Sequence, residues 1–238
     1  MKGVDELQRL LKKSKRPRAL TGAGVSAESG IPTFRGPGGL WRNFRPQDLA
    51  TPEAFARDPK LVWEWYSFRR EIIAQAKPNA GHTFLALLEN EKPDFWLITQ
   101  NVDGLHQDAG SRRVLELHGN IWRLRCTACP KYVEDLRVPL ATLPPKCGAC
   151  GAVMRPAVVW FGEALPEGTF AKSWELAQTA DLFLVIGTSG AVEPAASLAR
   201  EAKKNGAVVV EINPEASALT GVADLSIKGE SGEILSRV

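Results

Sequence analysis

The segment Leu20-Thr21-Gly22-Ala23-Gly24-Val25-Ser26-Ala27 follows an apolar run and decides the fold class. It fits the pattern G-x-G-x-x-[GA], in which glycines let backbone N–H groups and a helix amino terminus approach a pyrophosphate. Enzymes that transfer a hydride also need a second strand that ends in an acid about 20 residues later. Residues 33–39 read Thr-Phe-Arg-Gly-Pro-Gly-Gly and cannot form such a strand. The segment therefore predicts dinucleotide binding but gives no support for hydride transfer.

Apolar runs alternate with helical stretches along the rest of the chain. We predict strands at residues 18–21, 95–99, 114–117, 182–186, 208–212 and 225–227, and helices at 58–75, 80–90, 167–179 and 194–205. Continuous apolar strands alternating with helices favour an α/β fold, a Rossmann-like doubly wound parallel sheet. Ligands of such sheets bind at the carboxyl ends of the strands. Small and polar residues gather after these strand ends, at 22–30, 100–104, 118–120 and 187–190.

Two stretches break this alternation. Residues 120–156 are rich in proline, glycine and cysteine, and we predict that they form a small inserted zinc-binding domain. Residues 1–119 and 157–238 would then form the dinucleotide-binding domain, with a flexible loop and a helical part at about 36–80. Within that part, the prolines and glycines of residues 36–61 predict irregular structure, either a mobile flap or a second part of the small domain.

All four cysteines lie in two close pairs. Cys126 and Cys129 form one Cys-x-x-Cys pair, and Cys147 and Cys150 form a second pair 17 residues further on. This spacing is typical of a four-thiolate zinc site, in which no position stays open for water. The predicted zinc ion is therefore structural.

Charge and hydropathy exclude some classes of function. The chain has 238 residues, with 30 Lys and Arg against 27 Asp and Glu, and a formal net charge of +3. That charge is too balanced to indicate nucleic-acid binding by itself. No apolar run could span a bilayer, and residues 1–18 are polar and basic without a signal-type stretch. We expect a cytoplasmic protein without a membrane partner.

Several stretches together resemble the signature motifs of the sirtuins, the NAD-consuming protein lysine deacylases. They are Gly-Ala-Gly-Val-Ser at 22–26, Gly-Ile-Pro-Thr-Phe-Arg at 30–35, Thr-Gln-Asn-Val-Asp at 99–103, His-Gly at 118–119 and the two cysteine pairs. The resemblance covers roughly residues 19–234. It implies NAD as co-substrate, one structural zinc ion, and acylated-lysine proteins or peptides as substrates. The implied products are nicotinamide, O-acyl-ADP-ribose and free lysine.

The resemblance also assigns roles to individual residues. His118 would be the general base that takes a proton from a ribose hydroxyl, a task suited to imidazole. The residues that would bind NAD are Gly22, Ala23, Gly24, Thr33, Phe34, Arg35, Trp41, Gln100, Asn101, Val102, Asp103, Gly187, Thr188, Ser189, Asn213, Glu215 and Ser231. For Ser231 a helix amino cap before Glu233 is an alternative interpretation.

Residues 158–163 resemble the family stretch that pairs as a β-strand with the substrate peptide. The substrate-binding residues would be Val159, Trp160, Phe161, Gly162 and Glu163. From the sequence alone, this stretch could equally be a buried strand.

Tyr66 and Arg69 lie three residues apart on a predicted helix and so project from one face. A guanidinium fork with a phenol beside it suits a carboxylate. This Tyr-x-x-Arg pair resembles the sirtuin branch that removes succinyl, malonyl and glutaryl groups, with acetyl also accepted. An ordinary amphipathic helix with a packed tyrosine and an exposed arginine is the alternative.

Three other functions stay open at this point. An NAD-dependent oxidoreductase is the nearest alternative enzyme, and a zinc-ribbon nucleic-acid-binding protein is the alternative outside enzymes. An ADP-ribosyl transferase would share the early chemistry of a deacylase. The sequence leaves the oligomeric state open.

Overall fold

A computed structural model describes residues 2–35, 39–40 and 45–238. Over these residues the chain forms two sheets, a main sheet of six parallel strands and a separate antiparallel sheet of three. The strands in chain order are β1 (Pro17–Thr21), β2 (Trp96–Thr99), β3 (Val114–Glu116), β4 (Gly119–Cys126), β5 (Tyr132–Glu134), β6 (Met154–Val158), β7 (Leu182–Ile186), β8 (Val208–Asn213) and β9 (Leu225–Lys228).

The main sheet has the strand order β3-β2-β1-β7-β8-β9. From β1 the chain adds strands first on one side and later on the other, so the order reverses between β1 and β7. In open α/β sheets, ligands bind in the crevice beyond the carboxyl ends of the strands at such a reversal. All residues of β1 and β7 are buried, as continuous apolar strands covered on both faces require.

Helices cover both faces of this sheet. The α-helices are α1 (Lys2–Lys13), α2 (Pro46–Leu49), α3 (Pro52–Arg57), α4 (Pro59–Gln75), α5 (Ala80–Glu91), α6 (Leu105–Asp108), α7 (Glu167–Thr179), α8 (Ser197–Lys204) and α9 (Ser231–Leu235). One apolar layer packs α1, α5 and α9 against side chains such as Leu97 and Leu184, and the other packs α7 and α8 against Phe183 and Val185. The predicted Rossmann-like α/β fold is confirmed. None of the helices in the described part of the chain is long and apolar enough to cross a membrane.

The second sheet has the order β5-β4-β6 and packs against α4. The Trp63 indole donates to the Met154 carbonyl at 2.8 Å. The Arg70 guanidinium is 1% exposed and donates to the backbone carbonyls of Ile121, Asp135 and Arg137. These bonds give both terminal nitrogens of the buried guanidinium backbone acceptors and fix α4 on the sheet. The boundaries 120–156 for a separate zinc domain stay a prediction.

The irregular structure predicted for residues 36–61 is wrong for residues 46–61, which are mostly helical, and residues 36–38 and 41–44 lie outside the described residues. Pro46, Pro52 and Pro59 each occupy the first position of a helix, in α2, α3 and α4. Proline has no N–H to lose there, and its fixed φ suits the first turn. Thr51 and Asp58 cap the second and third of these helices through their side-chain oxygens. These three prolines therefore mark the starts of helices and not irregular structure.

Three smaller differences concern helices. Helix α1 was not predicted, although Val4, Leu7 and Leu11 form a buried stripe at helical spacing. The helix expected at 194–205 begins only at Ser197. The glycine-rich segment opens a 3-10 helix, Ala23–Ser29.

Candidate active site

A cavity of about 880 Å³ lies at the carboxyl ends of the main-sheet strands and extends to α4 and the end of β6. Most residues predicted to bind NAD or substrate line this one cavity. They are Gly22, Ala23, Gly24, Thr33, Phe34, Arg35, Tyr66, Arg69, Gln100, Asn101, Val102, His118, Val159, Trp160, Phe161, Gly162, Glu163, Gly187, Thr188, Ser189, Asn213 and Glu215.

Three predicted NAD-binding residues are not among those lining residues. Asp103 is buried in a smaller recess beside the cavity, together with Ser26. Ser231 is buried at the start of α9, where its hydroxyl donates to Glu28 at 3.3 Å, and Glu230 is the helix cap and lines the cavity. Trp41 lies outside the described residues.

The glycines of the loop after β1 allow it to contact the loop after β7. The Gly24 N–H donates to the Gly187 carbonyl at 2.8 Å. A Cβ at Gly24 would lie 2.8 Å from the Gly187 Cα, and one at Gly22 would lie 2.7 Å from the Thr188 Cβ. Gly187 itself has a φ of +59°, a conformation that favours glycine. The glycines are therefore required for packing between the two loops, and approach to a pyrophosphate remains a prediction.

His118 is the last residue before β4 and is oriented by the backbone. Its Nδ1 lies 3.0 Å from the Gln100 carbonyl oxygen, an acceptor, so Nδ1 carries the proton and Nε2 is left as the basic nitrogen. Burial lowers the pKa of His118 below its usual value, and the bond to Gln100 opposes this shift. The imidazole is therefore neutral at pH 7 and can accept a proton.

Amide side chains connect the ends of three main-sheet strands along the cavity. The Gln100 amide donates to the Thr188 hydroxyl at 2.9 Å. The Asn213 amide donates to the Thr188 carbonyl at 2.7 Å. Thr188 thereby links the ends of β2, β7 and β8 by hydrogen bonds.

A buried polar cluster behind the glycine-rich loop was missed by the sequence interpretation. The His82 and His106 rings lie 4.8 Å apart between centroids. His106 contacts the Thr21 hydroxyl at 3.0 Å, and the Ser26 hydroxyl donates to Asp103 at 2.7 Å. The one local signal was Asn79 three residues before His82, a pair that forms a capping box at the start of α5.

Arg69 and Tyr66 lie side by side in the cavity wall. Arg69 is 8% exposed, which contradicts the alternative of an exposed arginine. Its guanidinium carbon lies 4.9 Å from the ring centroids of both Phe34 and Trp65. Within residues 2–35, 39–40 and 45–238 it forms no ion pair within 4 Å.

Glu163 has buried partners of its own. Arg155 donates to both of its carboxylate oxygens, at 2.7 and 2.9 Å. The Trp160 backbone N–H donates to the same carboxylate at 2.9 Å. These bonds hold residues 160–163 as a fixed turn on the cavity rim, beyond the end of β6.

The four cysteines converge on one point. Their sulfur atoms all lie within 4.8 Å of one another, with Cys126 and Cys150 sulfurs 3.5 Å apart and Cys129 and Cys147 sulfurs 3.7 Å apart. Tetrahedral zinc with four thiolates at about 2.3 Å requires sulfur separations of about 3.8 Å. The donor set and spacing therefore fit a structural zinc ion, as predicted.

Fold and site together define a dinucleotide-binding α/β protein with a four-cysteine metal site. The model of the Sir2 family matches residues 22–194, and the chain belongs to this family. The predicted resemblance to sirtuins is thereby confirmed, and the alternatives of an oxidoreductase and a zinc-ribbon nucleic-acid binder lose their support.

Close relatives and solved structures extend over nearly the whole chain. An NAD-dependent protein deacylase of Aquifex aeolicus is 56% identical over 219 residues, covering 92% of each chain. One of Aeropyrum pernix is 53% identical over 238 residues, covering 100% of this chain and 97% of its own. A Sir2 homologue in complex with NAD has a TM-score of 0.91 at 48% identity, covering 97% of this chain and 90% of that one. A Sir2 complex with a p53 peptide and NAD+ has a TM-score of 0.90 at 34% identity, covering 99% and 96%.

Replacing the buried zinc ligand, Cys147→Ser, should lower both zinc content and thermal stability. The serine hydroxyl is a poor substitute for a thiolate, and the site would lose one of four ligands. Zinc per chain by atomic absorption should fall well below the one equivalent of the unsubstituted protein, and the Tm should drop. Ala128→Ser, an exposed change inside the same knuckle, should alter neither. Full zinc occupancy in Cys147→Ser would contradict the four-thiolate site.

The buried histidines should make the fold sensitive to acid. Burial lowers the pKa of His82 to about 4, so the unfolded chain binds a proton more readily below pH 6.5 than the folded chain does. Stability contributed by neutral His82 is therefore full at pH 7 and is lost as the pH falls from 6.5 toward 4. This residue alone should reduce the free energy of unfolding by about 2 kcal/mol between pH 7 and 5.

Urea denaturation at both pH values measures this loss. In His82→Gln, where glutamine suits the same capping-box position, the loss should be about 2 kcal/mol smaller. The same pH dependence in both proteins would exclude His82 as its source.

Proposed function

We propose that this NAD-dependent protein deacylase removes succinyl and related dicarboxylic acyl groups from lysine, with acetyl accepted as well. The observation that carries the proposal is the buried Arg69 beside Tyr66 in the cavity wall. The reaction would release nicotinamide, O-acyl-ADP-ribose and free lysine.

The energetics of Arg69 favour an anionic ligand. Burial costs a charge several kcal/mol of solvation and lowers the pKa of Arg69, and the nearby Asp103 carboxylate and Tyr66 hydroxyl oppose this shift only in part. Contacts with the faces of Phe34 and Trp65 recover about 0.5–2 kcal/mol. A carboxylate at the end of an acyl chain would supply the missing partner through two parallel hydrogen bonds. An acetyl group would leave the guanidinium unpaired.

Tyr66 adds a neutral donor at the same place. It is 2% exposed, and burial raises the pKa of its phenol, so the hydroxyl keeps its proton. A guanidinium and a phenol side by side supply positive charge and a directed O–H. Both groups suit a carboxylate better than a methyl group.

His118 is proposed as the general base. NAD supplies a ribose carbon that accepts the acyl oxygen when nicotinamide leaves. The His118 imidazole lines the same cavity as Arg69, with Nδ1 oriented by Gln100 and Nε2 left to accept the proton of a ribose hydroxyl. The residues after β1, β2, β7 and β8 would then bind NAD, with its adenosine end at Thr188, Asn213 and Glu215.

The acyl-lysine peptide is proposed to lie along residues 158–163. Val158 ends β6, and the Val159 N–H is bonded to the His118 carbonyl at 2.9 Å. Backbone pairing along this stretch would place an acyl-lysine side chain in the cavity without reading the peptide sequence. The solved Sir2 complex with a p53 peptide supports a peptide substrate for this family fold.

Arg69→Met should lower desuccinylation by about 10- to 150-fold relative to deacetylation, because a charge-assisted contact is worth about 1.5–3 kcal/mol. Matched succinyl- and acetyl-lysine peptides are incubated with NAD, and the products are identified by mass. Arg69→Lys, which keeps the charge and loses the fork, should give an intermediate ratio. An unchanged ratio in Arg69→Met would refute the acyl preference.

His118→Ala should reduce deacylation of either peptide by about 100- to 10,000-fold while NAD still binds. In the unsubstituted protein the rate should fall only below pH 6.5, since burial keeps the pKa of His118 below its usual value. Calorimetric titration with NAD shows whether binding survives. Substantial turnover by His118→Ala would remove the assignment of His118 as base.

A further inference from the structure

We propose that Trp160 is a specificity-determining positioning residue, whose indole N–H turns the Tyr66 hydroxyl hydrogen toward the end of the acyl chain. The proposal rests on the acyl preference proposed above and adds a residue that acts through Tyr66. It starts from one hydrogen bond, in which Trp160 Nε1 donates to the Tyr66 oxygen at 2.9 Å.

The donors around Tyr66 determine where its own hydrogen can go. An indole N–H can only donate, and so can the guanidinium of Arg69, which interacts with the same hydroxyl. Neither neighbour can accept the Tyr66 proton. In the part of the chain that the structure describes, this buried hydroxyl accepts the Trp160 bond and donates no hydrogen bond of its own. The hydroxyl is left with a proton to donate and lines the cavity, so a ligand acceptor is its natural partner.

Trp160 is itself held in place. The Arg155 guanidinium carbon lies 3.3 Å from the centroid of the Trp160 ring, and the ring of Phe55 lies 5.1 Å away. Arg155 is fixed in turn by its two bonds to Glu163, which also accepts the Trp160 backbone N–H. The indole is 3% exposed. Its N–H therefore has a fixed direction, and a phenylalanine would keep an aromatic ring under Arg155 while losing the donor and part of the ring.

This arrangement would distinguish acyl groups by the chemical group at the far end of the acyl chain. A succinyl carboxylate can accept the Tyr66 O–H together with the Arg69 N–H groups, whereas an acetyl methyl can accept neither. Without the indole donor, the Tyr66 hydroxyl is free to rotate its hydrogen away. Loss of the Trp160 Nε1 donor should therefore lower kcat/KM more for succinyl-lysine than for acetyl-lysine substrates.

The test compares kcat/KM for matched succinyl- and acetyl-lysine peptides in four proteins: the unsubstituted chain, Trp160→Phe, Tyr66→Phe and the double variant. Trp160→Phe should lower the succinyl-to-acetyl ratio by about 3- to 10-fold, the value of one buried hydrogen bond. In the Tyr66→Phe background the same substitution should leave the ratio unchanged. Each ratio comes from one preparation, so a reduced folded fraction cancels.

A second variant carries benzothienylalanine at position 160, which keeps the bicyclic shape and lacks only the N–H. It should reproduce the ratio of Trp160→Phe. An unchanged ratio in these two variants, or an equal fall in the Tyr66→Phe background, would overturn the role of Trp160 while leaving the acyl preference intact. Absence of any succinyl removal by the unsubstituted chain would instead overturn the proposed function, and this inference with it.

Discussion

The contact between the loops after β1 and β7 is the constraint on which the site depends. The two strands are neighbours at the point where the sheet order reverses, and their loops can approach only because Gly22, Gly24 and Gly187 carry no side chains. A methyl group at Gly24 would lie 2.8 Å from backbone atoms of Gly187, and neither backbone could move without disturbing a buried strand. All three glycines line the cavity, which lies directly beyond this contact at the strand ends.

Two adjacent arginines of α4 have different surroundings, which favour a structural role for one and a ligand-binding role for the other. Arg70 is buried against the second sheet, donates to three backbone carbonyls and lies 3.5 Å from the Asp135 carboxylate, so its charge is compensated within the protein. Arg69 lies in the cavity wall against aromatic faces, with the Asp103 carboxylate nearby but no ion pair within 4 Å among the described residues. A buried cation satisfied internally holds elements together, whereas one left beside an open cavity favours an anionic ligand. Their different surroundings, and not their residue type, suggest their roles.

The sequence predicted the main sheet well, because continuous apolar strands are a strong signal of a covered parallel sheet. It also predicted the cysteine cluster, since ligand spacing alone implies a shared ion. The sequence-based prediction failed for the prolines of residues 46–61, because proline favours the first turn of a helix but breaks a helix from within. Pro52 begins a helix that a proline in its interior would break, and only the capping Thr51 distinguishes the two cases. The buried pair of His82 and His106 depends on contacts between distant segments, which no local pattern reveals.

The second sheet connects the metal site to the chemistry. Strand β4 runs from Gly119, directly after His118, to the zinc ligand Cys126, and β6 returns from Met154 to Val158 at the proposed peptide site. Gly119 lies so close to β6 that a Cβ there would meet the Ala157 carbonyl oxygen at 2.1 Å. Strands β4 and β6 thus pair along one sheet from the cysteine cluster to the proposed base and peptide site. The zinc site, though closed to water, therefore lies on the same two strands as the residues proposed to carry the reaction.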